Sequence, residues 1–140
     1  MATSKSSIRI SRLLWLGPLT VLASIAGVLI VRIIAVSVLR PDPIPMSLGW
    51  IMPIFFTTVL VIAAVLVFAL VARLTKNPIR TYQVIAFVVL LLSLLPDAAF
   101  ARAPMPGANW PNAIALMVMH VVAWAICVTM LSRLSVEQAV

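Results

Sequence analysis

The chain has 140 residues, of which 64% are apolar and 9% charged, and its mean hydropathy is +1.23. Soluble domains carry about a quarter charged residues, so this composition excludes a soluble globular class. The net charge of +7 does not indicate nucleic acid, because the basic residues form short groups beside apolar runs rather than one polar face. We therefore expect a lipid bilayer, and no nucleic acid, among the partners.

Four apolar runs are each long enough to cross a membrane. A spanning α-helix needs about 20 such residues, since the hydrocarbon core is about 30 Å thick. The predicted fold class is all-α, a four-transmembrane-helix bundle with both termini on the inner side. It forms a single membrane domain at residues 13–132, between a short basic tail at 1–12 and a second tail at 133–140. The predicted spans are residues 13–39, 51–72, 81–100 and 112–132.

The first span continues to Leu39, which is longer than a signal-peptide core, so we expect a retained anchor. Its Ser24 and Gly27, with Ala23 and Ala26, make a small-residue face on which another helix can approach closely. Alternate prolines at positions 41, 43 and 45 end this helix, and Trp50 marks the membrane interface before the second span.

Asn77 and Pro78 have the pattern of an N-cap followed by proline in the first helical position, which starts the third span. Tyr82 is its expected interfacial anchor. Asn109-Trp110-Pro111 opens the fourth span in the same way. Both predicted outer loops begin with arginine and end with tryptophan, at residues 40–50 and 102–110.

The distribution of basic residues predicts the orientation. Positive charge accumulates before the first span, between the second and third, and after the fourth, whereas the opposite side has only Arg40 and Arg102. By the positive-inside bias, both termini are cytoplasmic, in the inner (plasma) membrane of a bacterium. The basic residues on the predicted cytoplasmic side are Lys5, Arg9, Arg12, Arg73, Lys76, Arg80 and Arg133.

Five polar side chains within the spans form the candidate functional site. At a rise of about 1.5 Å per residue, Arg32 lies about 10 Å below the outer end of its span and His120 about 12 Å. Thr57 and Thr58 fall near the same level, and Asp97 is closer to the outer end of the third span. We therefore expect an intramembrane polar cluster in the outer half of the bundle.

An intramembrane charge needs a partner, because burying Arg or Asp near the bilayer centre costs about 2.5–3.5 kcal/mol. Asp97 is the acidic residue within a predicted span, so we predict an Arg32–Asp97 pair, with Asp42 as the competitor. Three interpretations remain open: a structural polar clasp, titrating sites on a proton or solute path, and separate snorkelling to the headgroups.

Signatures of catalysis and of cofactor binding are missing from the sequence. It has no phosphate-cradling glycine loop, no His-Glu zinc pattern and no nucleophile set. His120 is the single histidine, which excludes bis-histidine haem ligation, and Cys127 is the single cysteine, which excludes an internal disulfide. We expect no enzyme activity, no cofactor and no metal.

Several short motifs resemble those of a family of small bacterial four-helix membrane proteins that carries only a domain-of-unknown-function label. The resemblance covers nearly the whole chain. It implies a four-span fold and an ionisable trio, and it implies no activity. The motifs are Arg-Leu-Leu-Trp at 12–15 with Gly17-Pro18, Ile-Phe-Phe-Thr at 54–57, Asn-Pro-Ile-Arg-Thr at 77–81, Leu-Leu-Pro-Asp at 94–97 and Met-His-Val-Val at 119–122.

Together these features favour an uncharacterised multi-pass membrane protein that acts as a non-enzymatic accessory or interaction component. Its partner would be a larger membrane protein or a second copy of the chain. The alternative is a small proton- or solute-coupled transporter or channel subunit that uses Asp97 and His120.

Overall fold

The computed structural model describes residues 10–134 and contains, within that range, four long α-helices and no strand. All four are long and apolar enough to cross a membrane, which confirms the all-α four-span class. The side of the membrane on which the termini lie stays a prediction. The helices are α1 (Ile10–Leu39), α2 (Ile51–Leu74), α3 (Pro78–Phe100) and α4 (Trp110–Leu134), with a short 3₁₀ helix at Met46–Leu48.

The helix ends agree with the predicted spans to within a few residues. Helix α3 begins at Pro78 after Asn77, as predicted, although the Asn77 side chain makes no capping hydrogen bond, and α1 continues through Pro18. Residues 10–12 and 133–134, which were predicted to belong to the tails, are helical instead. Most of both predicted tails, at residues 1–9 and 135–140, lies outside the described residues.

Helix α1 packs closely against α4 and against α2, and α3 packs closely against α4 and more loosely against α2. A Cβ atom added to Gly27 would lie 2.7 Å from Cδ1 of Ile126 and 3.0 Å from Cγ1 of Val122. One turn earlier, the Oγ of Ser24 lies 3.7 Å from the Sγ of Cys127. Ser24 and Gly27 of the predicted small-residue face therefore lie in the close α1–α4 contact, whereas Ala26, which was predicted to share that face, is exposed.

Tyr82 is a core residue rather than the interfacial anchor that the sequence suggested. It is 1% exposed, and its ring meets that of Phe68 edge to face with centroids 5.0 Å apart. Edge-to-face packing stabilises such pairs beyond the burial of their area. The tyrosine thus joins α3 to α2 inside the bundle near the α2–α3 connection.

We call the end of the bundle that carries the α1–α2 and α3–α4 connections the two-loop end. There Gly107 has φ of +78°, and a Cβ atom on it would lie 2.8 Å from Cβ of Pro45. Asn112, which is 1% exposed, donates from Nδ2 to the Gly107 carbonyl, and its backbone N–H donates to Oδ1 of Asn109. The two connections therefore pack on each other and on the start of α4.

The four helices do not end at the same height at the two-loop end. Arg32 of α1 contacts Leu48 and Trp50, immediately before α2, yet α1 continues seven residues further to Leu39. Asp97 of α3 contacts His120, which lies ten residues after the start of α4 at Trp110. At about 1.5 Å per residue, α1 and α4 each project about 10 Å beyond their neighbours.

Candidate functional site

Asp97 and His120 are brought together by neighbouring helices α3 and α4. The Nδ1 atom of His120 lies 2.9 Å from Oδ2 of Asp97 and 3.0 Å from the carbonyl oxygen of Leu116, one turn earlier in α4. Both neighbours of Nδ1 accept hydrogen bonds, which favours the form of the ring that carries a proton on this nitrogen. The carboxyl side chain is 10% exposed and the imidazole 30% exposed.

The contact between the two side chains is close but poorly aligned. Nδ1 is bonded to the Leu116 carbonyl, and Oδ2 of Asp97 is a buried acceptor without an aligned hydrogen bond among the described residues. Hydrogen bonds weaken steeply as the donor angle falls, so the 2.9 Å contact is mainly electrostatic. A small rotation of the imidazole would redirect its proton from the backbone to the carboxylate.

Arg32 is buried apart from this pair, with 7% of its surface exposed. Its Nε donates to the carbonyl oxygen of Leu48 at 3.0 Å, and its guanidinium carbon lies 3.6 Å from the centre of the Trp50 ring. The predicted Arg32–Asp97 pair is therefore wrong, because within residues 10–134 the ion-pair partner of Asp97 is His120. Nor does Asp42, the expected competitor, form an ion pair with Arg32 in that range.

The error comes from the heights of the helices. If the end of α1 and the start of α2 lay at the same height, as the sequence suggested, Arg32 would lie beside Thr57. Instead, residues 40–50 fold back along the last turns of α1, and the guanidinium meets Trp50, at the start of α2. The arginine therefore lies about 10 Å closer to the membrane surface than Thr57 does.

The two threonines of the predicted cluster have different surroundings. Thr57 is buried and lines the same cavity as Asp97 and His120. Thr58 is half-buried, and its hydroxyl donates to the carbonyl of Ile54 in its own helix at 2.7 Å. Helical geometry explains the difference, since adjacent residues lie about 100° apart around the axis. Of the five predicted residues, the structure brings together Thr57, Asp97 and His120.

A cavity of about 540 Å³ surrounds this polar group, and we call it the Asp97 cavity. Helices α2, α3 and α4 form most of its wall, with Val28 of α1 and two residues of the α1–α2 connection. The lining is mainly apolar, and exposed Met46, Phe56 and Leu60 belong to it, so the cavity communicates with the surface of the bundle. Among the described residues, no three of His, Cys, Asp and Glu are grouped to hold a metal ion.

The partners of Arg32 were not predicted from the sequence. The signal was present, because both outer loops pair arginine with tryptophan, and stacking of a guanidinium on an indole ring is a favourable cation–π contact. In the structure, Arg102 lies over Trp110 with its guanidinium carbon 5.6 Å from the ring centre. Trp50, however, takes Arg32 from the preceding helix rather than Arg40 from its own loop.

Comparison with known protein families shows a match. A model of the family of unknown function DUF6069 matches residues 5–136. The chain belongs to the DUF6069 family. No curated protein and no solved structure matches the chain. Membership in DUF6069 confirms the resemblance to a domain of unknown function, while a bacterial source stays a prediction.

Proposed function

We propose that this DUF6069 protein is a non-enzymatic accessory membrane protein. It acts by binding a partner, and the Asp97 cavity is the binding site. The cavity itself is the observation that carries the proposal. Binding pockets are typically about 300–1,000 Å³, mainly apolar, with a few convergent polar groups. The Asp97 cavity has this volume and lining, and its polar residues are Ser47, Thr57, Ser93, Asp97 and His120.

The partner proposed for this cavity is a larger membrane protein that inserts an apolar side chain from a neighbouring helix. Exposed Met46, Phe56 and Leu60 make the cavity reachable from the surface that faces the bilayer. Helices α2 and α3, which supply much of the wall, are the more loosely packed neighbours, so the cavity can widen there. The proposed setting is a bacterial inner membrane, with both termini in the cytoplasm.

Capture of the tagged full chain from native membranes tests the binding role. Ala123 lines the cavity, whereas Ala125, two residues along the same helix, is exposed. We expect a stoichiometric larger membrane protein with the wild type and with Ala125→Phe, and its loss with Ala123→Phe, which fills the cavity. Equal capture by both variants would place the contact elsewhere, and capture of a second copy alone would replace the proposed partner.

A second candidate function is proton- or solute-coupled transport, as a transporter or channel subunit. The observation that favours it is the position of Nδ1 of His120, which lies between two acceptors at 2.9 and 3.0 Å. Paired ionisable groups within a membrane often mark proton paths, and histidine changes charge near physiological pH. Here Asp97 and His120 would exchange the proton beside the cavity.

Purified protein in liposomes tests the transport role. We expect a pH-dependent flux that His120→Ala abolishes and Thr58→Ala retains, since the Thr58 hydroxyl is bonded within its own helix. The absence of flux across a panel of ions and pH values would count against transport and leave the binding role in place.

A further inference from the structure

Arg32 is a buried cation without a carboxylate partner in the described part of the chain. It is 7% exposed, and neither Asp42 nor Asp97 forms an ion pair with it there. The Leu48 carbonyl accepts from Nε, and the Trp50 ring covers one face of the guanidinium. Nη1 and Nη2 make no hydrogen bond to residues 10–134. A buried guanidinium is costly unless an anion compensates its charge, so a counter-ion from outside the described residues is expected.

We propose that Arg32 and Trp50 form a binding site for the phosphate group of a membrane phospholipid. The planar guanidinium matches a phosphate in bidentate geometry, and the contacts with Leu48 and Trp50 hold it in one orientation. Because its Nε and one face are occupied, the two terminal nitrogens are the donors that remain for the phosphate oxygens.

The height of Arg32 indicates a lipid rather than a free anion as the source of the phosphate. The guanidinium lies on Trp50 at the start of α2, and tryptophan is typical of the membrane–water interface, where lipid phosphates lie. The apolar residues that follow Arg32 and Trp50 in the chain are exposed, with Ile33 at 49% and Ile51 at 79%, and acyl chains can pack along them.

The charge of the two-loop end supports the same ligand. Arg40 and Arg102 are exposed there, and within residues 40–109 only Asp42 and Asp97 are acidic, the latter held by His120. Because Asp42 offsets part of this charge, the two-loop end is only weakly positive, and its attraction for an anionic headgroup is modest and short-ranged. The site is separate from the Asp97 cavity, and its failure would leave the binding role of that cavity untouched.

Lipid binding to the purified full chain in a nonionic detergent tests the proposal, with native mass spectrometry and the thermal unfolding midpoint as readouts. The probes are dioleoyl phosphatidylglycerol, dioleoylglycerol with the same chains and no phosphate, and inorganic phosphate. We expect phosphatidylglycerol alone to remain bound and to raise the midpoint. Equal binding of dioleoylglycerol, or equal stabilisation by inorganic phosphate, would overturn a lipid phosphate site.

Matched variants locate the site. Arg32→Gln should weaken the binding of phosphatidylglycerol about tenfold, whereas Arg102→Gln, which removes the other arginine that lies over a tryptophan, should leave it nearly unchanged. Unchanged affinity in Arg32→Gln would overturn the proposal. If that variant does not fold, Arg32→Lys keeps the charge without the bidentate fork, and it should bind more weakly than Arg102→Lys.

Discussion

Asp97 and His120 are the residues on which the energetics of the site depend most directly. Nδ1 of His120 and Oδ2 of Asp97 lie 2.9 Å apart between α3 and α4, where few other polar groups are close to them. We expect Asp97→Ala and His120→Ala each to lower the free energy of unfolding by about 1–3 kcal/mol. The double variant should lose less than the sum of the two, because groups in contact are energetically coupled. Unfolding by SDS in mixed micelles measures all three.

A double-mutant cycle between Arg32 and Asp97 is the control. Arg32 has its described contacts with Leu48 and Trp50, and none with Asp97. Substitutions without shared partners usually add to within about 0.5 kcal/mol, so Arg32→Ala and Asp97→Ala should be additive. Strong coupling of Arg32 to Asp97, together with additivity of Asp97 and His120, would contradict the arrangement of the site.

The ionisable residues that need partners could be predicted from the sequence, but the pairing could not. The cost of burial identifies Arg32, Asp97 and His120 without reference to structure. Which groups meet depends on relative helix height and rotation, and neighbours such as Thr57 and Thr58 look alike in sequence. A sequence also does not show which backbone carbonyls accept hydrogen bonds from side chains, and Arg32 donates to the carbonyl of Leu48.

Gly27 controls how closely α1 and α4 pack. Its missing Cβ would lie 2.7 Å from Cδ1 of Ile126 and 3.0 Å from Cγ1 of Val122, so a larger side chain has to displace both of these side chains of α4. We expect Gly27→Leu to destabilise the bundle by about 1–3 kcal/mol, the usual range for overpacking. Gly27→Ala should cost less, because alanine favours the helix by about 1 kcal/mol relative to glycine. Thermal unfolding in detergent measures both effects.

The adjacent Ala26 is a matched control for Gly27. It lies on the exposed side of α1, so Ala26→Leu adds a similar volume without entering the α1–α4 contact. Its unfolding midpoint should remain near that of the wild type. If both leucine variants were equally destabilised, the close packing at Gly27 would not be the cause.

The contact between the two connections depends on Gly107. Its φ of +78° disfavours side chains, and a Cβ atom would lie 2.8 Å from Pro45. We expect Gly107→Ala to cost about 1–2 kcal/mol from backbone strain, together with the clash. In a Pro45→Gly background the Cβ, Cγ and Cδ atoms that the new methyl group would meet are absent, so the cost of Gly107→Ala in chemical unfolding should fall. An equal cost in both backgrounds would leave strain alone as the cause.

At the level of helices, most of the fold could be predicted because length and hydropathy determine a spanning helix. The start of α3 at Pro78 after Asn77 follows from proline chemistry. The projection of α1 and α4 beyond their neighbours could not be predicted, since apolar residues near a helix end look the same whether they face lipid or a folded-back loop. Tyr82 was misplaced for a related reason, because its ring suits an interface and a core equally.

For the whole molecule, the property to be measured is its orientation, that is, which side of the membrane each end of the bundle faces. The α2–α3 connection is flanked by Arg73, Lys76 and Arg80, while the two-loop end carries exposed Arg40 and Arg102. Short loops rich in Lys and Arg stay in the cytoplasm, so we expect the α2–α3 connection inside and the two-loop end outside.

Single cysteines in a Cys127→Ala background test this orientation. Met105 is 55% exposed in the α3–α4 connection, and Asn77 is exposed in the α2–α3 connection, where its side chain makes no capping hydrogen bond. A membrane-impermeant maleimide should label Met105→Cys in intact cells and Asn77→Cys only after permeabilisation. The reverse labelling pattern would show the opposite orientation. The phosphate bound by Arg32 would then come from the inner leaflet rather than the outer leaflet. Labelling of both sites in intact cells would contradict a single orientation, because each connection can face only one side in a bundle with fixed topology.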